Sequence, residues 1–505
     1  MDTNLQQKTA IETKKSSLLG KFFGFFKAPP FIDLIESREE IKKQYAHWRL
    51  RIFYSIFGAY AVFYLCKKNI AAALPSMSSE LGYSNTELGL LGSSLYMTYA
   101  IGKFVNGVLA DNSHVRKFLP TALIMSAIAN ICFALSSIFI KPGEFTFFGL
   151  PSATILLWML VFFWGANGWF QSMGFPAIAK SLTFWYSNNE RGTKWALWST
   201  SHQTGTFLSV IISGFVIAKL GWQAAFYIPA ILSVFVSFIL IERLRDKPQT
   251  IGLPDIEEYR EPEAYAIKNA QQDEEENSTY FEIMKKHIFF NKTIWMLAIA
   301  YIFVYIIRFG TEDWIIKYLV EVKDNSLPLA ATKLSFLPLC GIAGTIAAGY
   351  FSDRIFNGQR APINIIFLTG IIFALFGLKL NGTGPNFIDD AFFAVTGTPL
   401  VNMIKINGSG LLDFVFIGLA GLFTYGPQML IGGLCAIESS SKKVASAATG
   451  FTGTFGYIGA ILSGIGTGMV VDKFGWNGAL YFWMISAFLC ILIILPMWNN
   501  KKTCN

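Results

Sequence analysis

Long apolar stretches recur along the whole chain, and they constrain its fold more than any other feature of the sequence. A helix of about 20 apolar residues crosses the ~30 Å hydrocarbon core of a bilayer, where only helices and closed barrels satisfy their backbone hydrogen bonds. Charged residues make up 15% of the 505 residues and hydrophobic residues 53%, whereas a soluble domain has about 25% charged residues. This composition excludes a disordered chain, a nucleic-acid binder and almost any soluble enzyme, and it predicts a helical membrane protein.

Twelve of these stretches are long enough to be membrane-spanning helices. We place them near 50–76, 88–111, 118–140, 151–176, 193–219, 222–242, 293–318, 331–356, 361–380, 411–437, 444–472 and 476–498. Their connections carry uneven charge: if both termini are cytoplasmic, 29 of the 41 Lys and Arg residues lie on the cytoplasmic side and 8 on the outer side. Because Lys and Arg are enriched in cytoplasmic loops, we expect both termini in the cytoplasm.

A polar stretch at 243–292 divides the chain into two groups of six spans. It contains an acidic run and no apolar run longer than a few residues, so it predicts a solvated cytoplasmic linker. The expected organisation is a cytoplasmic N-terminal extension (1–48), a six-helix half (49–242), the central linker (243–292), a second six-helix half (293–498) with a long outer loop at about 381–410 between spans 9 and 10, and a cytoplasmic tail (499–505).

Two motifs occur once in each half. GVLAD at 107–111 follows span 2 and GYFSD at 349–353 follows span 8, while GFVIAKLGW at 214–222 follows span 5 and GMVVDKFGW at 468–476 follows span 11. Equivalent motifs after equivalent spans indicate a parallel repeat, whose binding site is expected between the halves near mid-membrane. We expect the first motif to hold helices together and to gate motion rather than to contact a ligand, through Gly107, Asp111, Gly349 and Asp353.

Four cations and a histidine lie inside predicted spans, where a charge costs at least about 2.5–3.5 kcal/mol and therefore suggests a functional site. They are Lys67 and Lys68 in span 1, Lys103 in span 2, His202 in span 5 and Arg308 in span 7. Lys67 and Arg308 are 241 positions apart, close to the 242-position offset between the first pair of motifs. These two cations should therefore face each other across a cleft between the halves.

Acidic partners for these cations are few. Asp313 is placed to pair with Lys68, which leaves Lys67, Lys103 and Arg308 without an obvious partner. Unpaired cations around a cavity indicate an anionic ligand, because Arg offers a planar fork, and Lys a point charge, to phosphate or carboxylate oxygens.

Structural explanations stay open for the same residues. Lys67 or Lys68 can extend to the outer interface, and Arg308 can form a buried pair with Glu312 or Asp313. Aromatic side chains in these spans either pack against their neighbours or line the cavity: Tyr60, Tyr64, Tyr99, Trp169, Trp198, Tyr305, Tyr425 and Tyr457.

The chemistry-bearing residues are otherwise scattered. The 4 His and 6 Cys have no metal-ligand spacing, and neither a nucleophile–base pair nor a nucleotide-binding loop is recognisable. We therefore expect no enzymatic activity, no metal and no cofactor.

Several segments together carry a resemblance to a known family. They are FYLCKKN at 63–69, GWFQSMG at 168–174, NERG at 189–192, Trp198 with His202, LRDKPQ at 244–249 with GLP at 252–254, Val304 and Tyr305 with Arg308, and YGPQ at 425–428. From about 45 to 498 the chain resembles the organophosphate:phosphate antiporter family of the major facilitator superfamily. The resemblance implies an all-α membrane fold with twelve transmembrane helices in two pseudo-symmetric six-helix halves.

The family includes the bacterial glycerol-3-phosphate, hexose-phosphate and phosphoglycerate transporters and the hexose-phosphate sensor. Its transporters exchange inorganic phosphate for an organic phosphate by alternating access. The resemblance implies that Lys67 and Arg308 bind the phosphate group, together with Lys103 and His202. It also implies that Lys68 and Asp313 form a charge pair beside the site and that the eight aromatic residues named above line the cavity.

The chain departs from the family pattern in two places. The family usually has Arg where this chain has Lys67, and Lys cannot make a bidentate contact with an oxyanion. The family's hexose-phosphate transporters carry an Asp–Lys pair in span 11, whereas residues 445–471 contain no charge here. The second departure argues against a direct hexose-phosphate-transporter assignment and leaves the sensor branch or another organic phosphate open.

The residues and the resemblance together predict a multi-pass transporter of the inner membrane. It would exchange a sugar phosphate or glycerol-3-phosphate for inorganic phosphate across the lipid bilayer. The alternative is a membrane sensor of sugar phosphate with little transport, which signals to a partner kinase. We expect a monomer.

Overall fold

The computed structural model describes residues 24–27, 30–111, 113–260, 280–404, 406–440 and 444–498. Part of the predicted N-terminal extension and of the central linker lies outside these ranges. The predicted tail (499–505) and the side chain of Asp111 also lie outside the described residues.

Twelve long helices make up most of the described residues. Ten continuous helical segments are long and apolar enough to cross a membrane, and one of them, Ala447–Met497, contains two helices; α2 is a further helix of 27 residues. In chain order the helices are α1 (Arg38–Leu81), α2 (Asn85–Asp111), α3 (Val115–Phe139), α4 (Ser152–Trp185, with a turn at Ser172 and Met173), α5 (Asn188–Leu220), α6 (Ala224–Arg243), α7 (Lys292–Glu321), α8 (Leu327–Arg354), α9 (Arg360–Leu380), α10 (Gly408–Glu438), and α11 and α12, which are the two parts of Ala445–Ile494 before and after Gly475. The predicted all-α fold with twelve transmembrane helices is confirmed.

Glycines and a capping serine set the ends of several helices. The side chain of Ser37 accepts the backbone N–H of Glu40 at the start of α1. Helix α1 ends at Gly82, whose φ of 70° is the left-handed conformation that glycine adopts without steric cost. Gly475, with φ 67° and ψ −175°, interrupts a 50-residue helical run and separates α11 from α12.

The connections contain short elements of their own. Strands β1 (Thr146–Phe147) and β2 (Leu150–Pro151) form an antiparallel hairpin between α3 and α4. The long loop between α9 and α10 contains helices at Phe387–Thr396 and Leu400–Ile404. Further short helical segments lie at Pro248–Ile251, Ile256–Arg260, Tyr280–Met284, Lys285–Phe289 and Leu495–Met497.

The two halves repeat the same close helix approaches. A Cβ on Gly205 of α5 would lie 2.5 Å from the carbonyl oxygen of Ala61 on α1, and a Cβ on Gly459 of α11 would lie 2.1 Å from that of Ile302 on α7. Glycine is required at both places because any side chain would push the helices apart. Helices α1 and α5 of the first half therefore pack as α7 and α11 do in the second half.

The repeated Gly-Trp motif also makes the same contact twice. The indole Nε1 of Trp222, after α5, donates to Glu80 near the end of α1 (3.0 Å). The indole Nε1 of Trp476, after α11, donates to Glu321 at the end of α7 (2.9 Å). The motif pair found in the sequence is thus a structural repeat that ties helix ends together in each half.

The halves meet through α1 with α7, α2 with α11, and α5 with α8. The carboxylate of Asp472 on α11 accepts the backbone N–H groups of Asn85 (3.1 Å) and Thr86 (2.7 Å) at the start of α2, as well as both of their side chains. About two helical turns further along α2, Ser93 donates to the carbonyl of Ile461 on α11 (2.8 Å). These contacts join the halves at the end of the bundle that holds the α1–α2 turn, which we call the Gly82 end.

The Gly-to-Asp motifs lie at the opposite end of the bundle. In the second half, Arg360 donates to Asp353 (2.5 Å) and to Glu438 (2.9 Å), which links the ends of α8, α9 and α10. A Cβ on Gly107 would meet open space, and one on Gly349 would meet the Met429 methyl group at 3.8 Å. Asp353 thus connects the ends of two helices, as expected from the motif. The gating role of the motif stays a prediction.

Candidate functional site

Eight side chains from both halves form a closed ring of contacts halfway along the bundle. We call this set the central ring, and its members touch in the order Tyr64, His202, Tyr425, Arg308, Tyr305, Tyr457, Tyr99, Lys67 and back to Tyr64. The separations, between ring centroids or from Lys Nζ or Arg Cζ to a ring centroid, are 5.6, 6.2, 5.2, 5.8, 5.8, 4.8, 4.2 and 5.2 Å. Helices α1, α2, α5, α7, α10 and α11 each contribute, so the ring closes only in the folded protein.

The other three predicted aromatic residues divide into two groups. Tyr60 adjoins the ring, with its centroid 5.4 Å from that of Tyr64, and Trp198 lies 4.8 Å from Tyr60. Trp169 lies elsewhere, on an apolar groove of about 520 Å³ between α2, α4 and α11 that also includes the exposed side chains of Trp158 and Phe162. Trp169 is therefore not brought together with the other predicted site residues.

Lys67 is enclosed by aromatic faces. Its side chain is 4% exposed, and Nζ lies 4.2 Å from the Tyr99 centroid and 5.2 Å from that of Tyr64. Such contacts stabilise a desolvated cation, but they leave its three N–H groups without a hydrogen-bond acceptor among the described residues. Lys68 is 1% exposed, so neither lysine extends to the membrane interface.

Lys103 is the second cation of this kind. It is half-buried on α2, and Nζ lies 5.5 Å from the Tyr457 centroid and 5.4 Å from that of Phe175. No carboxylate within the described ranges forms an ion pair with it. Lys67 and Lys103 together bring two uncompensated positive charges to the ring.

Arg308 differs from the prediction, because it has a partner. Its Nε donates to Oε1 of Glu312, one helical turn away on α7 (2.9 Å), and the hydroxyl of Tyr425 donates to the same oxygen (2.7 Å). Of the structural alternatives, the pair with Glu312 is the one that forms. The i,i+4 spacing of Arg308 and Glu312 was the sequence signal for it, because residues four apart share a helix face.

The terminal nitrogens of Arg308 remain open. The side chain is 3% exposed, and Nη2 is buried with no hydrogen-bond partner among the described residues. A buried donor without a partner is costly, and a guanidinium that presents two parallel terminal N–H groups fits the two oxygens of a phosphate or a carboxylate. Nε of Arg308 is therefore paired within the protein, whereas its buried Nη2 has no partner among the described residues.

Lys68 joins the halves through two carboxylates. Its Nζ, on α1, lies 2.7 Å from Oδ1 of Asp313 and 2.7 Å from Oε2 of Glu312, both on α7. The hydroxyl of Tyr96 donates to Oδ2 of Asp313 (2.5 Å). The charges of Lys68 and Arg308 are thus balanced by Glu312 and Asp313, and the uncompensated charge of the site lies on Lys67 and Lys103.

His202 offers a further unpartnered polar atom. Its Nδ1 donates to the backbone carbonyl of Ser199 one turn earlier on α5, because a carbonyl can only accept. Nε2 on the other side of the imidazole ring is buried and has no partner within the described residues. Nε2 of His202 and Nη2 of Arg308 thus bring two buried polar atoms, each without a hydrogen-bond partner among the described residues, to the central ring.

Comparison with known proteins gives the same family as the sequence motifs. Residues 56–404 match the Major Facilitator Superfamily. The chain is 39% identical to the "Probable hexose phosphate transport protein" of Chlamydia trachomatis serovar D, over 94% of this chain and 97% of the relative. It is 35% identical to the "Membrane sensor protein UhpC" of Escherichia coli and 35% identical to the "Glycerol-3-phosphate transporter" of Bacillus subtilis, in each case over 94% of this chain and 98% of the relative.

Solved structures share the fold of this chain. An inward-open structure of the xylose transporter XylE from E. coli matches with a TM-score of 0.61 at 16% identity, over 90% of this chain and 98% of that one. An inward-facing bacterial homologue of the human lysosomal transporter Spinster matches with a TM-score of 0.62 at 15% identity, over 89% of this chain and 95% of that one. The chain is a multi-pass membrane protein and belongs to the organophosphate:phosphate antiporter family of the major facilitator superfamily.

Proposed function

We propose that this protein is an inner-membrane transporter that exchanges an organic phosphate for inorganic phosphate by alternating access. The observation that carries the proposal is the open, buried end of the Arg308 guanidinium in the same ring as the unpaired Lys67. Two helices in equivalent positions of the two halves each bring one cation to the ring, so a phosphate group between them would contact both halves at once.

The relatives favour a phosphate monoester of a small polyol or sugar as the organic substrate. Proteins 34–39% identical to this chain are named "Probable hexose phosphate transport protein", "Glycerol-3-phosphate transporter" and "Membrane sensor protein UhpC". The lack of charge at residues 445–471 argues against a hexose phosphate, whereas the relatives at 38–39% identity favour one. We therefore propose the class of sugar phosphates and glycerol-3-phosphate as substrates.

The contacts that join the halves at one end of the bundle support alternating access. If both termini are cytoplasmic, as the Lys and Arg distribution predicts, the Gly82 end faces outward. The hydrogen bonds of Asp472 with Asn85 and Thr86 then close the outer side. The structure would correspond to the outward-closed state, from which a ligand in the central ring exchanges with the cytoplasm.

The uncompensated charge of the site favours exchange over one-way transport. Lys67 and Lys103 face a protein interior of low dielectric, where unpaired charges are strongly destabilising. A bound phosphate would neutralise them and let the halves close around it, while the empty carrier would close slowly. One-for-one exchange is the expected outcome, and rapid phosphate-independent efflux would contradict it.

The test is uptake of labelled inorganic phosphate into proteoliposomes preloaded with unlabelled phosphate. Glycerol-3-phosphate, glucose-6-phosphate and phosphoglycerate are then added outside as competitors. We expect saturable exchange that Arg308→Ala abolishes, with the strongest competitor identifying the organic substrate. Empty proteoliposomes that take up phosphate as fast as preloaded ones would count against an antiporter.

A sensor is the second candidate function, because the 35%-identical relative from E. coli is named a membrane sensor protein. A sensor would use the same ring to bind sugar phosphate but would pass the signal to a partner kinase. Folded protein that binds glucose-6-phosphate without exchanging phosphate would favour this candidate over the transporter.

A further inference from the structure

Glu312 is a buried carboxylate on α7 whose contacts connect Arg308 to the other charged residues of the site. It is 2% exposed. Oε1 accepts from Nε of Arg308 (2.9 Å) and from the hydroxyl of Tyr425 (2.7 Å), and Oε2 lies 2.7 Å from Nζ of Lys68. The carboxylate therefore lies between two cationic side chains.

The geometry of the contact between Arg308 and Glu312 decides which nitrogens of Arg308 remain without a partner. An arginine paired with a carboxylate through both terminal nitrogens would have its fork filled. Here the carboxylate engages Nε, and the buried Nη2 has no partner within the described residues. The guanidinium is planar and rigid, so holding Nε also fixes the direction in which its terminal N–H groups point.

We propose that Glu312 is a positioning residue: it holds Arg308 by Nε so that the terminal nitrogens are presented to the phosphate group of the ligand. Preorganised donors bind more tightly because their conformational freedom is lost before the ligand arrives. Tyr425 and Lys68, on α10 and α1, hold the carboxylate in turn. The inference rests on the proposed phosphate-binding function.

The opposite role is also chemically reasonable, and the two make opposite predictions. A carboxylate beside a binding arginine can compete with an anionic ligand, in which case its removal strengthens binding. A positioning carboxylate can be replaced without loss by a neutral oxygen acceptor, but not by an apolar side chain. The decisive comparison is therefore between two neutral variants of similar length.

The experiment measures the affinity of purified full-length protein for inorganic phosphate by calorimetric titration. Glu312→Gln keeps an oxygen for Nε and for the Tyr425 hydroxyl, whereas Glu312→Met has a similar shape with only a weak sulfur acceptor. Both variants remove the same charge, so the ratio of their Kd values reports the contact alone. We expect Glu312→Met to bind phosphate at least about tenfold more weakly than Glu312→Gln, as for a hydrogen bond to a charged group.

Equal Kd values for the two variants would overturn the proposal, and so would tighter binding by both. Asp313 provides the matched control, because it contacts Lys68 and Tyr96 but has no contact with Arg308 among the described residues. Asp313→Asn keeps an oxygen acceptor and Asp313→Leu does not, as with the two Glu312 variants. The Kd values of these two Asp313 variants for phosphate should agree within about threefold. A tenfold difference there would mean that any lost oxygen in this network weakens binding, which would also overturn the proposal.

Folding and function are checked separately. Thermal unfolding in detergent shows whether each variant is folded, and Glu312→Leu serves as the apolar variant if Glu312→Met is not. If the unsubstituted protein does not bind phosphate, the proposed function itself fails. If it binds phosphate but the Gln and apolar variants bind equally, only the positioning role of Glu312 fails.

Discussion

Lys67 and Arg308 occupy equivalent positions in the two halves, yet only Arg308 has a carboxylate partner. The two residues are 241 positions apart on α1 and α7, and both side chains are at least 96% buried. Arg308 pairs with Glu312, whereas Lys67 contacts aromatic faces alone among the described residues. The internal repeat therefore places a cation on each side of the site, but the halves provide them with different surroundings.

The first prediction concerns this asymmetry. Arg308→Lys removes both Nε, which Glu312 holds, and the fork that is open to ligand, whereas Lys67→Arg adds a fork where a point charge now stands. We expect Arg308→Lys to reduce phosphate exchange in proteoliposomes by roughly 10- to 100-fold, the effect of one or two charged hydrogen bonds. Lys67→Arg should reduce exchange less, and an equal loss in both variants would count against the assigned roles.

The second prediction concerns the buried charge network between the halves. Lys68→Met leaves Glu312 and Asp313 without their shared cation, whereas Asp313→Asn leaves Lys68 paired with Glu312. Breaking a buried pair costs about 3–5 kcal/mol, so Lys68→Met should lower the free energy of unfolding by about that amount. Asp313→Asn should cost clearly less. Thermal unfolding in detergent measures both, and a larger loss for Asp313→Asn would show that Glu312 does not share the lysine.

The third prediction concerns the contact between α2 and α11 at the Gly82 end. Asp472→Ala removes the acceptor of two backbone N–H groups at the start of α2. Loss of such a cap costs about 0.5–2 kcal/mol, which is enough to shift a population between open and closed states. Spin labels at Ser84→Cys and Lys473→Cys, in a chain whose own 6 cysteines are replaced, should report longer distances after Asp472→Ala.

A milder substitution at the same position provides the control for this prediction. Asp472→Asn retains one oxygen acceptor and should lie between the unsubstituted protein and Asp472→Ala. An unchanged distance distribution in both variants would mean that the contact does not close this end of the bundle.

The fourth prediction concerns the helix approaches that define the fold. Gly459→Ala would place Cβ 2.1 Å from the carbonyl oxygen of Ile302, whereas a Cβ on Gly450 of the same helix meets open space. We expect Gly459→Ala to destabilise the protein by roughly 1–3 kcal/mol through overpacking. Gly450→Ala should be neutral or stabilising by up to about 1 kcal/mol, because Ala favours the helix. Equal melting temperatures for the two variants would contradict the close approach of α7 and α11.

The sequence predicts the site unevenly. The cations of α1, α2 and α7 are evident as charges in apolar spans, and the repeat correctly relates Lys67 to Arg308. The partner of Arg308 was not decided, because Glu312 and Asp313 both lie about one helical turn away and the side that each presents depends on the packing of α7. Trp169 was grouped with the site because the family resemblance implies it, but its position on α4 places it on a different groove.

What the sequence by itself determined is local: the apolar spans, the repeated motifs and the charged residues inside the spans. These depend on residues near one another in the chain, since hydropathy and helix capping act within a few turns. The tertiary structure decided which charges are compensated, that Glu312 holds Arg308 by one edge, and that Tyr425 and Tyr457 close the ring around them. These contacts join helices up to hundreds of residues apart, and their geometry depends on the rotation and approach of whole helices, which local sequence does not specify.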